Sequence, residues 1–215
     1  YYTMYSQRIT AGDINGDGFD DIAINVHEDI ILVFGGMFVY YGSPNGPASS
    51  PGWSLWIGPF AGSHGLTCKG DVNNDGYADL IVAEAVYPRG IQVFYGSHAG
   101  LNYISDRIDS YDSIDYNYKF GFSISSGGDV NGDGFDDLIV GVLNYPLNGH
   151  YVGAFIYLGS QDGIITSPAW TVSTSGNYYQ GLGHSVSIEG DLNNDGYDDA
   201  AVINNYGEGN DPSAH

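Results

Sequence analysis

Basic side chains are scarce: 215 residues carry 5 Lys and Arg against 26 Asp and Glu, for a formal charge of −21. Phosphate backbones are bound by clustered Lys and Arg, so no nucleic-acid partner is expected, nor docking on anionic lipid. The single cysteine, Cys68, cannot close an internal disulfide, which excludes a cystine-stapled fold. Its alternating apolar surroundings predict a buried small side chain rather than a nucleophile. No apolar run approaches the ~18 residues of a membrane span, so no direct membrane insertion is expected. Asn-x-Ser/Thr sequons are absent, and so is any helical period. The sequence starts at Tyr1 with neither an initiator Met nor a charged-then-apolar leader, and is expected to be processed or cut from something longer.

What remains is apolar residues at 42%, enough for a core in one domain or a piece of one, with 33 Gly and 19 Tyr. Charged residues are only 14% of the chain and most are Asp, a skew that points to carboxylates placed for a purpose.

Those carboxylates repeat. The run GDINGDGFDD at 12–21 returns as GDVNNDGYAD at 70–79, GDVNGDGFDD at 128–137 and GDLNNDGYDD at 190–199. The first Asp of each copy falls at 13, 71, 129 and 191, at intervals of 58, 58 and 62 residues. A fixed period of this size is the mark of a repeat architecture.

The flanks repeat too. After each acidic run comes a short β-branched segment, at 22–24, 80–82, 138–140 and 200–202, which predicts a strand buried on both faces. Aromatic strands closed by Gly-Ser follow at 38–43, 93–97 and 155–160, then a polar strand opened by Ser50-Pro51-Gly52-Trp53 and Ser167-Pro168-Ala169-Trp170. An alternating segment such as 120–125 leads into each acidic run. One repeat is thus about four strands in about 60 residues, which suits a blade of a β-propeller. The expected fold is all-β, with repeats at 1–59, 60–117, 118–179 and an incomplete 180–215, about 3.5 blades in all. Open sheet edges are avoided in proteins, so the array is expected to be part of a larger ring or to be completed by another polypeptide.

Within each acidic run, oxygen side chains stand at relative positions 1, 3, 5 and 9, as Asp-x-Asn-x-Asp-Gly-x-x-Asp. Alternate side chains of such a loop converge on one centre, the Gly allows the sharp turn, and the aromatic seventh residue offers its carbonyl while its ring packs inward. All-oxygen ligation suits Ca²⁺; Mg²⁺ wants a tighter, more hydrated octahedron, and Zn²⁺ would want His or Cys. Three carboxylates per loop repel one another without a cation, and four Ca²⁺ would take the formal charge from −21 to about −13. An EF-hand would need a Glu at position 12, where Ile24, Val82, Val140 and Val202 stand instead. A dockerin-type loop would need a following helix.

These residues resemble the FG-GAP repeat, the blade of the integrin alpha-subunit N-terminal β-propeller. The literal Phe-Gly occurs at Phe120-Gly121, with Leu182-Gly183 near it, and Gly141-Val142-Leu143 is nearest to the Gly-Ala-Pro part. The resemblance implies a seven-bladed ring, calcium loops on one face and partner binding on the opposite face or rim. It implies, as ligands, Asp13, Asn15, Asp17, the Phe19 carbonyl and Asp21, then Asp71, Asn73, Asp75, the Tyr77 carbonyl and Asp79. The third set is Asp129, Asn131, Asp133, the Phe135 carbonyl and Asp137, and the fourth Asp191, Asn193, Asp195, the Tyr197 carbonyl and Asp199. Asp20, Asp136 and Asp198 at position 8 fall outside that set, as supports of the ligands or solvated groups, because Ala78 fills the same place in repeat two.

Nothing else points to chemistry. His27, His64, His98, His150, His184 and His215 are scattered; His64 and His184 share a repeat position and are read as strand residues packing on a neighbour. No nucleophile elbow, phosphate loop or His-Glu-x-x-His occurs, so a non-enzymatic chain is expected. Tyrosine-rich segments at Tyr87-Pro88-Arg89, Tyr145-Pro146-Leu147 and Asn177-Tyr178-Tyr179 are read as inter-blade candidates for recognition. The functional expectation is a calcium-stabilised, secreted or cell-surface binding, adhesion or assembly module with a protein or glycan ligand. The alternatives are a glycan-binding lectin of the same propeller type and a non-catalytic domain of a larger secreted enzyme. The extracellular placement follows from calcium, because extracellular modules bind it with Kd of ~10⁻⁴–10⁻³ M.

Overall fold

The computed structural model describes residues 4–28, 34–59, 63–84, 90–109, 119–147, 150–174 and 182–204. Every regular element among them is a strand. Blade one comprises β1 (Met4–Gly12), β2 (Asp21–Glu28), β3 (Phe34–Tyr40) and β4 (Trp53–Pro59). Blade two comprises β5 (Ser63–Thr67), β6 (Leu80–Glu84), β7 (Gly90–Phe94) and β8 (Asp106–Asp109). Blade three comprises β9 (Lys119–Gly128), β10 (Asp137–Leu147), β11 (His150–Tyr157) and β12 (Trp170–Thr174). Of blade four, β13 (Leu182–Ser187) and β14 (Ala201–Asn204) are described.

Each blade is an antiparallel meander whose strands pair in chain order. The acidic run is the turn between first and second strands, and its ends face each other, Gly12 opposite Asp21 and Gly128 opposite Asp137. The first strands of successive blades touch, β1 against β5, β5 against β9 and β9 against β13, while the sheets stack face to face. Meanders stacked about their first strands make a β-propeller, and all four acidic loops fall on one rim of it.

Side-chain alternation explains the stacking. Leu80 and Val82 of β6 pack towards blade one with Ala23, Val39 and Trp53, while Ile81 and Ala83 pack towards blade three with Phe120, Leu138 and Val140. Successive residues of a strand point to opposite faces, so a strand sandwiched between two blades must be apolar throughout. Leu138 to Val142 of β10 are likewise all buried, and each such Leu, Ile or Val contributes about 1.5–3 kcal/mol.

The expectation of burial on both faces fails in the outer blades. Ile22 and Ile24 of β2 are only half-buried, and Ala201 and Ile203 of β14 are exposed. These positions lack a neighbouring blade among the described residues, so one face of each strand meets water. The inter-blade reading of Tyr145-Pro146-Leu147 is also corrected. These residues end β10 and pair with Val152, Tyr151 and His150 of β11, inside one blade, because β10 runs past the apolar core. Tyr87 to Arg89 and Asn177 to Tyr179 lie outside the described residues, as does His215.

Candidate metal centres in the acidic loops

In the first loop the carboxylate of Asp13 accepts the N–H of Asp17 at 3.0 Å and that of Gly18 at 2.8 Å. The Asn15 side-chain oxygen accepts the Asp17 N–H at 3.0 Å, and Asp17 Oδ1 accepts the Phe19 N–H at 2.9 Å. The second loop repeats the pattern through Asp71, Asn73 and Asp75, and the third through Asp129, Asn131 and Asp133. In the fourth, Asp191 accepts the N–H groups of Asp195 and Gly196, and Asp195 that of Tyr197. Position 4 is left-handed in all four loops: Gly16, Asn74, Gly132 and Asn194 have φ of 70°, 51°, 74° and 60°. Only Gly and Asn take that conformation at low cost, which accounts for the Gly/Asn alternation there.

The ninth loop residue does something the spacing did not predict. Asp21 is buried, and its two oxygens accept the N–H of Ile14 at 3.0 Å and of Gly42 at 2.7 Å. Asp79 does the same to Val72 and Gly96, both at 2.9 Å, and Asp137 to Val130 and Gly159 at 2.9 and 3.0 Å. Each therefore ties the loop to the end of the third strand of its own blade. This gives the Gly of the repeated Gly-Ser its reason, since a Cβ on Gly96 would stand 2.5 Å from the Ala78 carbonyl oxygen. In blade four, Asp199 keeps the bond to the Leu192 N–H at 2.8 Å and meets the Asn193 amide at 3.4 Å.

Burial, opposed by these N–H bonds and reinforced by neighbouring carboxylates, pushes the Asp79 carboxyl up to about 7 and that of Asp137 up to about 6. Asp21 is raised for the same reasons, with Asp17 and Asp13 as the like charges. In the exposed fourth loop the Gly196 N–H holds the Asp191 carboxyl below its ordinary range.

At position 8, Asp136 and Asp198 support an acidic loop, and the loop is that of the preceding blade rather than their own. Asp136 Oδ2 accepts the Asp71 N–H of the preceding blade at 2.8 Å, and Asp198 Oδ2 accepts that of Asp129 at 2.9 Å. Burial, and then the nearby carboxylates, raise Asp136 above its ordinary range. The aromatic seventh residue is corrected as well. A Cβ on Gly16 would stand 2.6 Å from the Tyr77 ring, and one on Gly132 would stand 2.5 Å from the Tyr197 ring. The ring thus lies over the preceding blade's loop rather than inward, which leaves even the stacked Tyr197 exposed, as Phe19 is.

The loops' donor set is entirely oxygen, which is the chemistry a hard cation takes. Each carboxylate oxygen has two lone pairs, so one that accepts an N–H retains capacity for an ion. Among the described residues, no three His, Cys, Asp or Glu side chains are gathered tightly enough to hold an ion. The first and ninth carboxylates of each loop are turned onto different backbone amides.

Outside the loops, the His184 ring lies 5.0 Å from that of Phe122. The side chain of His64 lies outside the described residues. Cys68 is fully buried, and burial pushes its thiol up to about 12.

A family model described as FG-GAP repeat matches residues 7–29 and 120–158. The chain is 31% identical to Integrin alpha-PS5 of Drosophila melanogaster over 149 residues, 64% of this chain and 15% of that protein. It is 34% identical to Integrin alpha-PS2 of the same organism over 160 residues, 65% of this chain and 11% of that protein. With Integrin alpha-4 of Xenopus laevis it shares 29% over 155 residues, 68% of this chain and 14% of that protein. The chain thus spans about a seventh of the curated relatives it matches. A solved structure, Bacillus licheniformis Rhamnogalacturonan Lyase PL11, superposes with a TM-score of 0.60 at 15% identity. That superposition covers 94% of this chain and 41% of the lyase, and at this identity shows a shared fold alone. The chain therefore carries FG-GAP repeats of the integrin-alpha-like kind, folded as consecutive blades of a β-propeller.

Proposed function

We propose that this chain is a calcium-stabilised, non-enzymatic binding module that works at a cell surface or in the extracellular space. The observation that carries the reading is the same oxygen-lined loop built four times on one rim, each copy with carboxyl groups at positions 1, 5 and 9 and an amide oxygen at position 3. Asp13, Asn15, Asp17, the Phe19 carbonyl and Asp21 would hold the first ion, and the corresponding residues at 71–79, 129–137 and 191–199 the others. The ion would neutralise the carboxylates and cross-link each turn. Bound cation would then stiffen the connection between first and second strands, leaving the blades as a rigid scaffold for a protein or glycan ligand. Similarity to integrin alpha subunits supports adhesion or partner binding, and with it the extracellular setting. A glycan ligand, or service as a non-catalytic domain of a larger secreted enzyme, are the other forms of the same binding role.

The test is calorimetric titration of the chelator-treated chain with Ca²⁺, together with thermal melts. About four ions per chain and a higher Tm in calcium are expected, with Asp133→Ala lowering the calcium-loaded Tm. No heat of binding and an unchanged Tm would overturn the calcium reading.

A further inference from the structure

The junction between blades one and two departs from the next two junctions at two neighbouring positions. At all three, the eighth loop residue donates its N–H to the carbonyl of the first loop residue of the preceding blade: Ala78 to Asp13 at 3.0 Å, Asp136 to Asp71 at 3.3 Å, Asp198 to Asp129 at 3.1 Å. At the second and third, the eighth side chain also turns a carboxylate onto the N–H of that same first residue. At the first, that side chain is a methyl group, and the Asp13 N–H has no partner among the described residues. The Ala78 Cβ nevertheless stands as the Asp198 Cβ does, each 3.2 Å from the Cβ that Gly12 or Gly128 would carry. Only the carboxylate is missing, and the backbone around its place is in the same register.

The place itself is open. A cleft of about 480 Å³ lies there, with Asp13, Asp20, Lys69, Asp71, Tyr77 and Ala78 in its lining. Lys69 is the second departure, since blade three has Gly127 and blade four Glu189 at its repeat position. Its ammonium meets Glu189 at 3.0 Å, but the two side chains are 54% and 40% exposed, and such a surface pair holds its members weakly. The junction without its own carboxylate is thus the one with a cation beside the gap. Asp13 and Asp71 turn their carboxylates onto N–H groups of their own loops, so neither occupies the open donor. Nor do these like charges exclude another carboxylate, because Asp136 keeps its bond with Asp71 and Asp129 close by.

We propose that this cleft binds a carboxylate carried on a short side chain, the aspartate of a partner polypeptide. One oxygen would accept the Asp13 N–H, in the place that Asp136 Oδ2 takes on Asp71, and the Lys69 ammonium would pair with the other. The occupant is an aspartate because this chain fills the two equivalent places with aspartate. The cleft is also larger than one carboxylate, which leaves room for the peptide units on either side of it. Both walls belong to this chain. The inference rests on the binding role proposed above, to which it gives a ligand class, but not on bound calcium.

The experiment is thermal melting of the 215-residue chain with acetyl-aspartyl-amide, against acetyl-asparaginyl-amide plus sodium chloride at matched ionic strength. With about 50 mM probe, a Kd of about 10 mM would raise the Tm by about 2–4 °C. The rise should vanish in Ala78→Asp, whose own carboxylate fills the place, and fall by at least about half in Lys69→Gln, where the charge-assisted bond is lost. Melts without probe check that both variants fold. No rise in the parent would overturn the proposal, as would an equal rise with the asparaginyl probe or one that both variants leave unchanged. A rise with glucuronate and none with acetyl-aspartyl-amide would overturn the peptide in favour of an acidic glycan. Each comparison is made in one buffer, so its outcome is separate from that of the calcium titration.

Discussion

Asp136 reaches across a blade boundary to the backbone N–H of Asp71 at 2.8 Å, and the residue in its place one blade earlier is Ala78. At that first junction a cleft of about 480 Å³ opens among Gly12, Asp13, Lys69, Asp71 and Ala78. The eighth loop residue is therefore a clip between blades, present at two junctions and missing at one.

Removing the clip should loosen the array. Asp136→Ala leaves the Asp71 N–H without its charged acceptor and is expected to cost about 1–3 kcal/mol. Ala78→Asp has room for the missing carboxylate and should raise the Tm in calcium buffer. Urea unfolding of both variants beside the parent tests the pair, and equal midpoints would refute the clip.

Asp79→Ala should be harsher, and independent of any ion. It strands the buried N–H groups of Val72 and Gly96, both of which Asp79 accepts. A loss of about 2–5 kcal/mol is expected, measured by urea unfolding in chelator so that cation binding does not contribute.

Glycine substitutions should separate crowding from backbone strain. A Cβ on Gly12 would stand 1.8 Å from the Cys68 carbonyl oxygen, whereas one on Gly76 would meet nothing within 4 Å but sits at a φ of 93°. Gly76→Ala is expected to cost about 1–2 kcal/mol from its left-handed backbone. Gly12→Ala should cost about 3 kcal/mol or more, since blade two must move away. Comparison of urea midpoints decides it.

Cys68 supplies a pH prediction. Its thiol rises from 9.0 to about 12 on folding because burial disfavours the thiolate, so at pH 8 the folded chain holds about a thousandfold less thiolate than the unfolded one. Native protein should resist alkylation that urea-unfolded protein undergoes readily. Because the folded state binds this proton more tightly, its contribution to stability is complete below pH 9 and is lost as the pH rises towards 12. Mass-spectrometric labelling across pH, with and without urea, checks both parts.

Much of this architecture is legible in one sequence because repetition averages out local ambiguity. The β-branched run after each acidic loop and the Gly-Ser after each third strand return at fixed offsets, and both mark elements that the structure contains. Blade two's last strand was harder to see, since Asp106 stands where the other blades have Trp53 and Trp170. Its carboxylate instead accepts the Tyr95 hydroxyl at 2.7 Å, and that hydroxyl also accepts the Ile164 N–H of the next blade at 3.0 Å.

The repeat, the all-β class, the position of each acidic turn and the apolar runs can be read from the linear chain, because spacing and periodicity are local properties. That the ninth carboxylate grips two backbone amides, and that the eighth clips one blade to the one before it, emerges only once the blades are packed. The eighth-residue clips join residues 65 and 69 apart, and the ninth carboxylate reaches amides 7 and 17–22 residues away. A carboxylate in a turn looks the same in sequence whether its partner is water or backbone.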